Sequence, residues 1–242
     1  MKKWRFVFGL VLAACMLLPA FAADKIRVLV ITGGHDFEKE QFFKLFRDNE
    51  GIAFKAVAHP NAHALLKTAA SEYDVIVLYD MWQKISDEAR ADFLAYLKSG
   101  KGLVALHHCL ASYQDWPEYA RIIGGRYNLK PRKEDGREIP GSTYKHGVDF
   151  KVQIADPQHP VTRGLTDFNI HDETYGKLEV FSDVKPLLTT DEPTSTRTIG
   201  WTRQEGTARV VYIQLGHDHL AYENPAYVRL IAQAIQWAAK RD

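Results

Sequence analysis

The chain has 242 residues, 46% hydrophobic and 25% charged, a balance that fits a soluble globular protein and excludes disordered, collagenous and disulfide-stapled chains. One domain is expected at this length; it would bury roughly 70% of its unfolded surface, so folding calls for neither metal nor disulfide. The formal charge is +1 and becomes −2 without residues 1–22, which hold three basic and no acidic residues; charges so mixed leave no basic face for nucleic acid.

Lys2, Lys3 and Arg5 precede an apolar run from Phe6 to Leu18, and Ala20-Phe21-Ala22 supplies the small residues of a cleavage site before Ala23. The pattern predicts a signal peptide over residues 1–22 and export of a single domain, 23–242, to the periplasm or beyond the cell. The run is short for a membrane span of about 20 residues, and no second candidate span follows. Leu12-Ala13-Ala14-Cys15 also matches a lipoprotein box that would leave Cys15 lipidated, although Met16 to Phe21 stay apolar where such a chain usually turns polar. With Cys15 in the signal, Cys109 stands alone and no intrachain disulfide can form.

Ile26 to Ile31 (IRVLVI), ended by Thr32-Gly33-Gly34, reads as a strand buried on both faces of a parallel sheet. Glu38 to Asn49 reads as a helix, with Phe42, Phe43 and Phe46 at helical spacing and Gly51 placed to stop it. Strands follow at Ile52 to Ala58, Val75 to Tyr79 and Gly102 to Leu106, with a short helix from Asn61 or Ala62 to Ala70. Ser86 caps a further helix, with Asp87 and Glu88 in its first turn and Ala89, Phe93 and Leu97 on one face. Arg126 to Phe150, rich in charge, Gly and Pro, reads as an irregular excursion over the sheet. Strands resume at Lys151 to Ile154, Leu178 to Phe181, Lys185 to Thr190, Thr198 to Thr202 and Arg209 to Gln214. The last helix is capped by Asn224, opened by Pro225, and repeats Val228, Ile231, Ile235 and Ala238. The alternation predicts a doubly wound α/β domain on a mainly parallel sheet.

In such sheets ligands gather beyond the carboxyl ends of the strands. Four strand ends carry polar groups: His35-Asp36, Asp80-Met81-Trp82, His107-His108 and His217-Asp218-His219. If strand geometry persists, adjacent His107 and His108 point to opposite sides and one faces the cleft, His107 by choice. His217 and His219 have a chelating spacing, but short-range sequence fixes no third metal ligand. Ile170 to Tyr175 packs His171, Asp172, Glu173 and Tyr175 into what reads as a loop bearing acid and base groups. Trp82, Trp116 and Tyr222 offer flat faces to a sugar ring or pack in the core. His59, His63, His146 and His159 read as ordinary hydrogen-bonded histidines.

GLVALHHCLAS (Gly102 to Ser112), IHDETYG (Ile170 to Gly176) and ARVVYIQLGHDHLAYENPAY (Ala208 to Tyr227) together resemble the ThuA-like, or trehalose-utilisation, family. The resemblance runs in order over most of the mature chain. It implies a flavodoxin-like fold akin to class I glutamine amidotransferases and a link to sugar catabolism, in places beside dehydrogenases that make 3-keto-glycosides. By motif position it places recurrent polar residues at His35, His107, Glu173 and His217, with Asp172 and Tyr175 as neighbours. Amidotransferases use a Cys at a glycine-rich elbow and a late His-x-Glu pair; here residues 107–111 read His-His-Cys-Leu-Ala and His219 stands where the carboxylate is expected, so Cys109 reads as a buried residue rather than a nucleophile.

The expected function is acid or base cleavage or conversion of a glycoside or its 3-keto form, by a hydrolase or lyase. His35, His107, Glu173 and His217 are the catalytic candidates; Asp36, Trp82, His108, Asp172, Tyr175, Asp218 and His219 are the substrate-binding ones. A divalent metal ion on part of the histidine set would act as a Lewis acid. Hydrolysis would instead need two carboxylates across the bond, pairing Glu173 with Asp36, Asp172 or Asp218. The alternative from another class is a non-catalytic sugar-binding or accessory protein on the same scaffold.

Overall fold

The structure, a computed structural model, describes residues 24–242 together with Met1; the signal-peptide reading of residues 1–22 and the lipidation reading of Cys15 lie outside them. The first half alternates as expected: β1 (Ile26–Gly33), α1 (Lys39–Arg47), β2 (Ile52–Ala58), α2 (Ala62–Glu72), β3 (Val75–Asp80), α3 (Asp87–Lys98) and β4 (Gly102–Leu106). The apolar runs of β3 and β4 are buried at every position, as strands covered on both faces must be. Ser86 Oγ accepts the Ala89 N–H at 3.2 Å and caps α3, whose first turn holds Asp87 and Glu88.

A 3₁₀ turn, His107–Ala111, then leads to α4 (Pro117–Ile123), β5 (Gly125–Arg126), the hairpin β6 (Arg132–Glu134) and β7 (Arg137–Ile139), β8 (Thr143–Ile154) and β9 (Phe168–Gly176). The chain closes with β10 (Glu179–Val180), β11 (Lys185–Thr189), β12 (Thr198–Glu205), β13 (Ala208–Ile213), α5 (His219–Tyr222) and α6 (Pro225–Ala238). Nine strands form one sheet in the order β2-β1-β3-β4-β13-β12-β11-β8-β9. The first five run parallel and the remaining pairings are antiparallel.

Helices cover both faces. Phe42, Leu45 and Phe46 of α1 join Leu230, Ile231, Ala234 and Ile235 of α6 in one core cluster. Leu66 of α2, Phe93 and Leu97 of α3, and Tyr119 and Ile122 of α4 fill the other. The fold is thus the expected doubly wound α/β domain, with an antiparallel extension.

Four readings change. The excursion from Arg126 to Phe150 holds the β6-β7 hairpin but ends in the long strand β8, which starts at Thr143. Leu178 to Phe181 is no strand of the main sheet: only Glu179 and Val180 pair, with β5 in a separate ribbon. Ile170 to Tyr175 lies inside β9, not in a loop; its charges obscure a strand whose polar residues are buried among partners. Asn224 does cap α6, accepting the Ala226 N–H at 3.0 Å, but Val228 faces out, 41% exposed.

Candidate active site

β4 ends at Leu106, and the next residue, His107, takes a left-handed φ of +52°. A non-glycine side chain rarely adopts that conformation, and its cost is typical of functional turns. Strand alternation therefore stops one residue before the imidazoles, and the member of the pair that lines the cleft is His108, not the expected His107. His108 lines a hollow of about 280 Å³ together with His35, Met81, Tyr127, Leu129, Tyr144, His146, Glu173 and Tyr175. His107 packs behind it against Glu173 and Tyr175.

Glu173 and Tyr175, two apart on β9, project to the same side of the strand. The Glu173 carboxylate is the hub. Its Oε2 lies 3.1 Å from His107 Nε2 and 3.3 Å from His217 Nδ1, and its Oε1 lies 3.2 Å from His146 Nδ1. His107 Nδ1–H donates to the Gln214 carbonyl at 2.6 Å, and Tyr175 Oη stands 2.9 Å from His107 Nε2. Burial alone would push the Glu173 carboxyl up, but His107 and His217 together hold it well below the usual carboxylate range. The hydrogen bond that His217 donates to Glu173 raises His217 above its ordinary value. Burial keeps the Tyr175 phenol protonated by pushing its pKa far up.

Asp172 points elsewhere and has a different task. It is 1% exposed and accepts the backbone N–H of Gly216 at 2.7 Å, of His217 at 2.9 Å and of Glu173 at 2.8 Å. It therefore fastens the loop after β13 to β9 and fixes His217 beside Glu173. Burial raises its pKa despite those donors and the nearby His107.

His35 stacks on His108 with ring centroids 4.7 Å apart and borders the hollow. His108 is 4% exposed with no hydrogen-bond partner among the described residues on either ring nitrogen; burial, then the charges of His107 and His35, lower its pKa far below that of a free imidazole. Of the predicted binding residues, only His108 and Tyr175 line the hollow. Asp36 is exposed and borders a separate shallow depression. Trp82 stacks on His59 at 5.1 Å, and Asp218 caps α5 through the Leu220 N–H at 2.9 Å. His219 does not chelate with His217, because its Nδ1 meets Glu38 at 2.9 Å. Among the described residues no second carboxylate lines the hollow beside Glu173, so the opposed pair required for direct hydrolysis does not form among them there.

Sequence reasoning missed His146, read as an ordinary histidine. The β8-β9 register shifts between Lys145 and Val148, with Gly147 at φ +64°; this bulge turns the His146 ring onto Glu173. Tyr144, 61% exposed, and Leu129, 39% exposed, stand at the mouth of the hollow. The signal available was Tyr144-x-His146, whose i, i+2 spacing matches Glu173-x-Tyr175 on the paired strand.

His107, Glu173 and His217 each offer one ligand atom, all within 4.8 Å of one another, and could hold a metal ion. Thiol chemistry has no support: Cys109 is fully buried, and burial, followed by the charge of Asp80, pushes its thiol pKa far up. No helix among the described residues is long and apolar enough to cross a membrane.

The architecture is similar to that of solved structures. A putative ThuA-like protein from Parabacteroides merdae is 22% identical with a TM-score of 0.74, covering 89% of this chain and 90% of its own. One from Bacteroides uniformis is 20% identical with a TM-score of 0.65 over 91% of this chain and 95% of its own. A cytoplasmic protein from Salmonella typhimurium is 12% identical with a TM-score of 0.61 over 88% of this chain and 99% of its own. No curated protein matches the sequence. The family model described as ThuA, trehalose utilisation, matches residues 27–238, and the chain belongs to that family.

Proposed function

We propose that the protein is an exported enzyme of trehalose or 3-keto-glycoside catabolism that cleaves the oxidised sugar by elimination. The observation that carries this reading is the convergence of three imidazoles on the single Glu173 carboxylate at a hollow with aromatic walls. The volume, about 280 Å³, is at the lower end of small-molecule sites and suits one sugar ring with the rest of the glycoside outside.

A ketone at C3 acidifies the hydrogen on C2, so cleavage needs a base and a stabiliser of negative oxygen rather than two opposed carboxylates. His146 is the base in this scheme. Its Nδ1 faces Glu173, which orients the ring and stabilises the imidazolium formed, and Nε2 remains to take the C2 proton. His107 and His217 lie behind the hollow rather than on its wall, so the base role passes from them to His146. His217, raised by its contact with Glu173, supplies positive charge beside the developing enolate, and Tyr175, kept protonated by burial, donates a hydrogen bond. The enolate electrons then re-form the C3 carbonyl and make a C1–C2 double bond as the C1–O bond breaks, and the aglycone leaves as an alcohol, taking the proton that His146 removed from C2.

The test is turnover of 3-keto-trehalose and of trehalose by the purified protein and by His146→Ala and Glu173→Gln. Conversion of the 3-keto sugar alone, reduced at least about 100-fold in both variants, is expected. Equal turnover of trehalose, undiminished turnover in Glu173→Gln, or tight sugar binding without turnover would overturn the proposal.

A further inference from the structure

We infer that His107 Nε2, Glu173 Oε2 and His217 Nδ1 are the protein ligands of one divalent transition-metal ion whose open positions face the hollow and take an α-hydroxyketone. The inference deepens the elimination reading and rests on it for the identity of the sugar, but the metal site stands on its own geometry.

The first argument is spacing. Ligands held at about 2.0–2.1 Å around a tetrahedral ion lie roughly 3.3 Å apart; the two nitrogens lie 3.1 and 3.3 Å from the shared carboxylate oxygen, and all three atoms lie within 4.8 Å of one another. The second is orientation. The Gln214 carbonyl accepts the Nδ1–H of His107, which turns Nε2 of that ring toward the same carboxylate oxygen that His217 Nδ1 approaches, so one divalent ion can meet all three atoms at once. The carbonyl behind His107 is also the kind of partner that orients metal-bound imidazoles.

The third observation is independent of the three ligands. His108 is 4% exposed on the wall of the same hollow, and both its ring nitrogens lack partners among the described residues. A buried imidazole left this way costs free energy until a polar ligand reaches it. A hydroxyl of a sugar seated on the ion would supply that partner.

Two imidazoles and one carboxylate suit zinc, manganese, iron or cobalt better than magnesium or calcium. A 3-keto sugar carries a carbonyl flanked by hydroxyls, a pair of oxygens that can chelate the open positions. The ion would polarise the carbonyl and hold the enolate oxygen while His146 takes the C2 proton and the C1–O bond breaks. No oxidant or reductant enters.

The experiment is titration of the chelator-treated full chain with Co²⁺, followed by its visible d–d bands and by calorimetry. One equivalent is expected, with affinity lowered roughly 100-fold or more in His217→Ala and Glu173→Gln and unchanged in His219→Ala. Circular dichroism checks that each variant is folded; His217, being half-buried, serves if Glu173→Gln is not. Absence of the bands, or equal affinity in folded His217→Ala, overturns the metal site. Full turnover of 3-keto-trehalose by metal-free protein would also overturn it while leaving the elimination reading intact. Stoichiometric binding lost in the variants, without sugar turnover in any form, would uphold the site and sink the elimination.

Discussion

Replacing Asp172 by Asn keeps the volume and removes one oxygen. Asp172 Oδ1 accepts from Glu173 and His217, and Oδ2 accepts from Gly216 at 2.7 Å. An amide can satisfy the first two, but its NH₂ then faces the Gly216 N–H, donor against donor. A charge-assisted hydrogen bond is worth about 1.5–3 kcal/mol, and an orphaned buried donor costs about 1–3 kcal/mol. Local relaxation recovers part, so a loss of about 3 kcal/mol is expected, a fall in Tm of roughly 6–12 °C for a domain of this size. Gly216 cannot shift cheaply, because it sits at φ +110° and a Cβ there would run into the Tyr227 hydroxyl. Freed from Asp172, His217 drifts from Glu173, so catalysis falls further than the remaining folded fraction explains. Urea unfolding of Asp172→Asn beside wild type, with turnover measured on the folded protein, reads both effects. A stability change within about 0.5 kcal/mol, or full activity, would refute the anchoring role.

Glu173 titrates lower in the folded chain than in the unfolded one, so its contribution is complete above its ordinary value of 4.5 and is lost as pH falls through the folded value. His217 titrates higher when folded, so its contribution is complete below 6.5 and is lost as pH rises through the folded value. The stability gap between wild type and Glu173→Gln should therefore be largest between about pH 4.5 and 6.5; urea midpoints showing a pH-independent gap would contradict the ion-pair account. Tyr144→Ala removes an exposed wall of the hollow, so stability should stay within about 0.5 kcal/mol while sugar affinity by calorimetry falls about 2- to 12-fold. Unchanged affinity would exclude Tyr144 as a platform. Cys109→Ala should keep activity within about twofold, and the native thiol should resist alkylation; rapid inactivation by iodoacetamide would revive thiol chemistry.

The parallel half of the sheet was readable because its strands are continuous apolar runs and its helices carry caps, as at Ser86 and Asn224. The rim was readable for a topological reason: β4 and β13 end in histidines, and parallel strands bring their carboxyl ends together. β9 was harder. Its sequence, His-Asp-Glu-Thr-Tyr, lacks the apolar alternation of a strand, because Glu173 and Asp172 are buried against imidazoles and backbone N–H groups rather than packed on aliphatic neighbours. His146 was hidden for a different reason, since a bulge redirects the chain at Gly147 and no local pattern reports where its ring lands. The neighbours of His219 and Trp82 are set by tertiary packing against Glu38 and His59, neither close in sequence, whereas Asp218 caps the α5 turn that directly follows it.

The most direct measurement is exchange of the C2 hydrogen of 3-keto-trehalose for deuterium in D₂O, followed by proton NMR. The account predicts loss of the C2 signal with wild-type protein at a rate at least equal to aglycone release, and near-baseline exchange with Glu173→Gln or His146→Ala. Aglycone release with the C2 hydrogen retained would contradict it, because the bond would then have broken without the proton transfer that the cluster around Glu173 is proposed to perform.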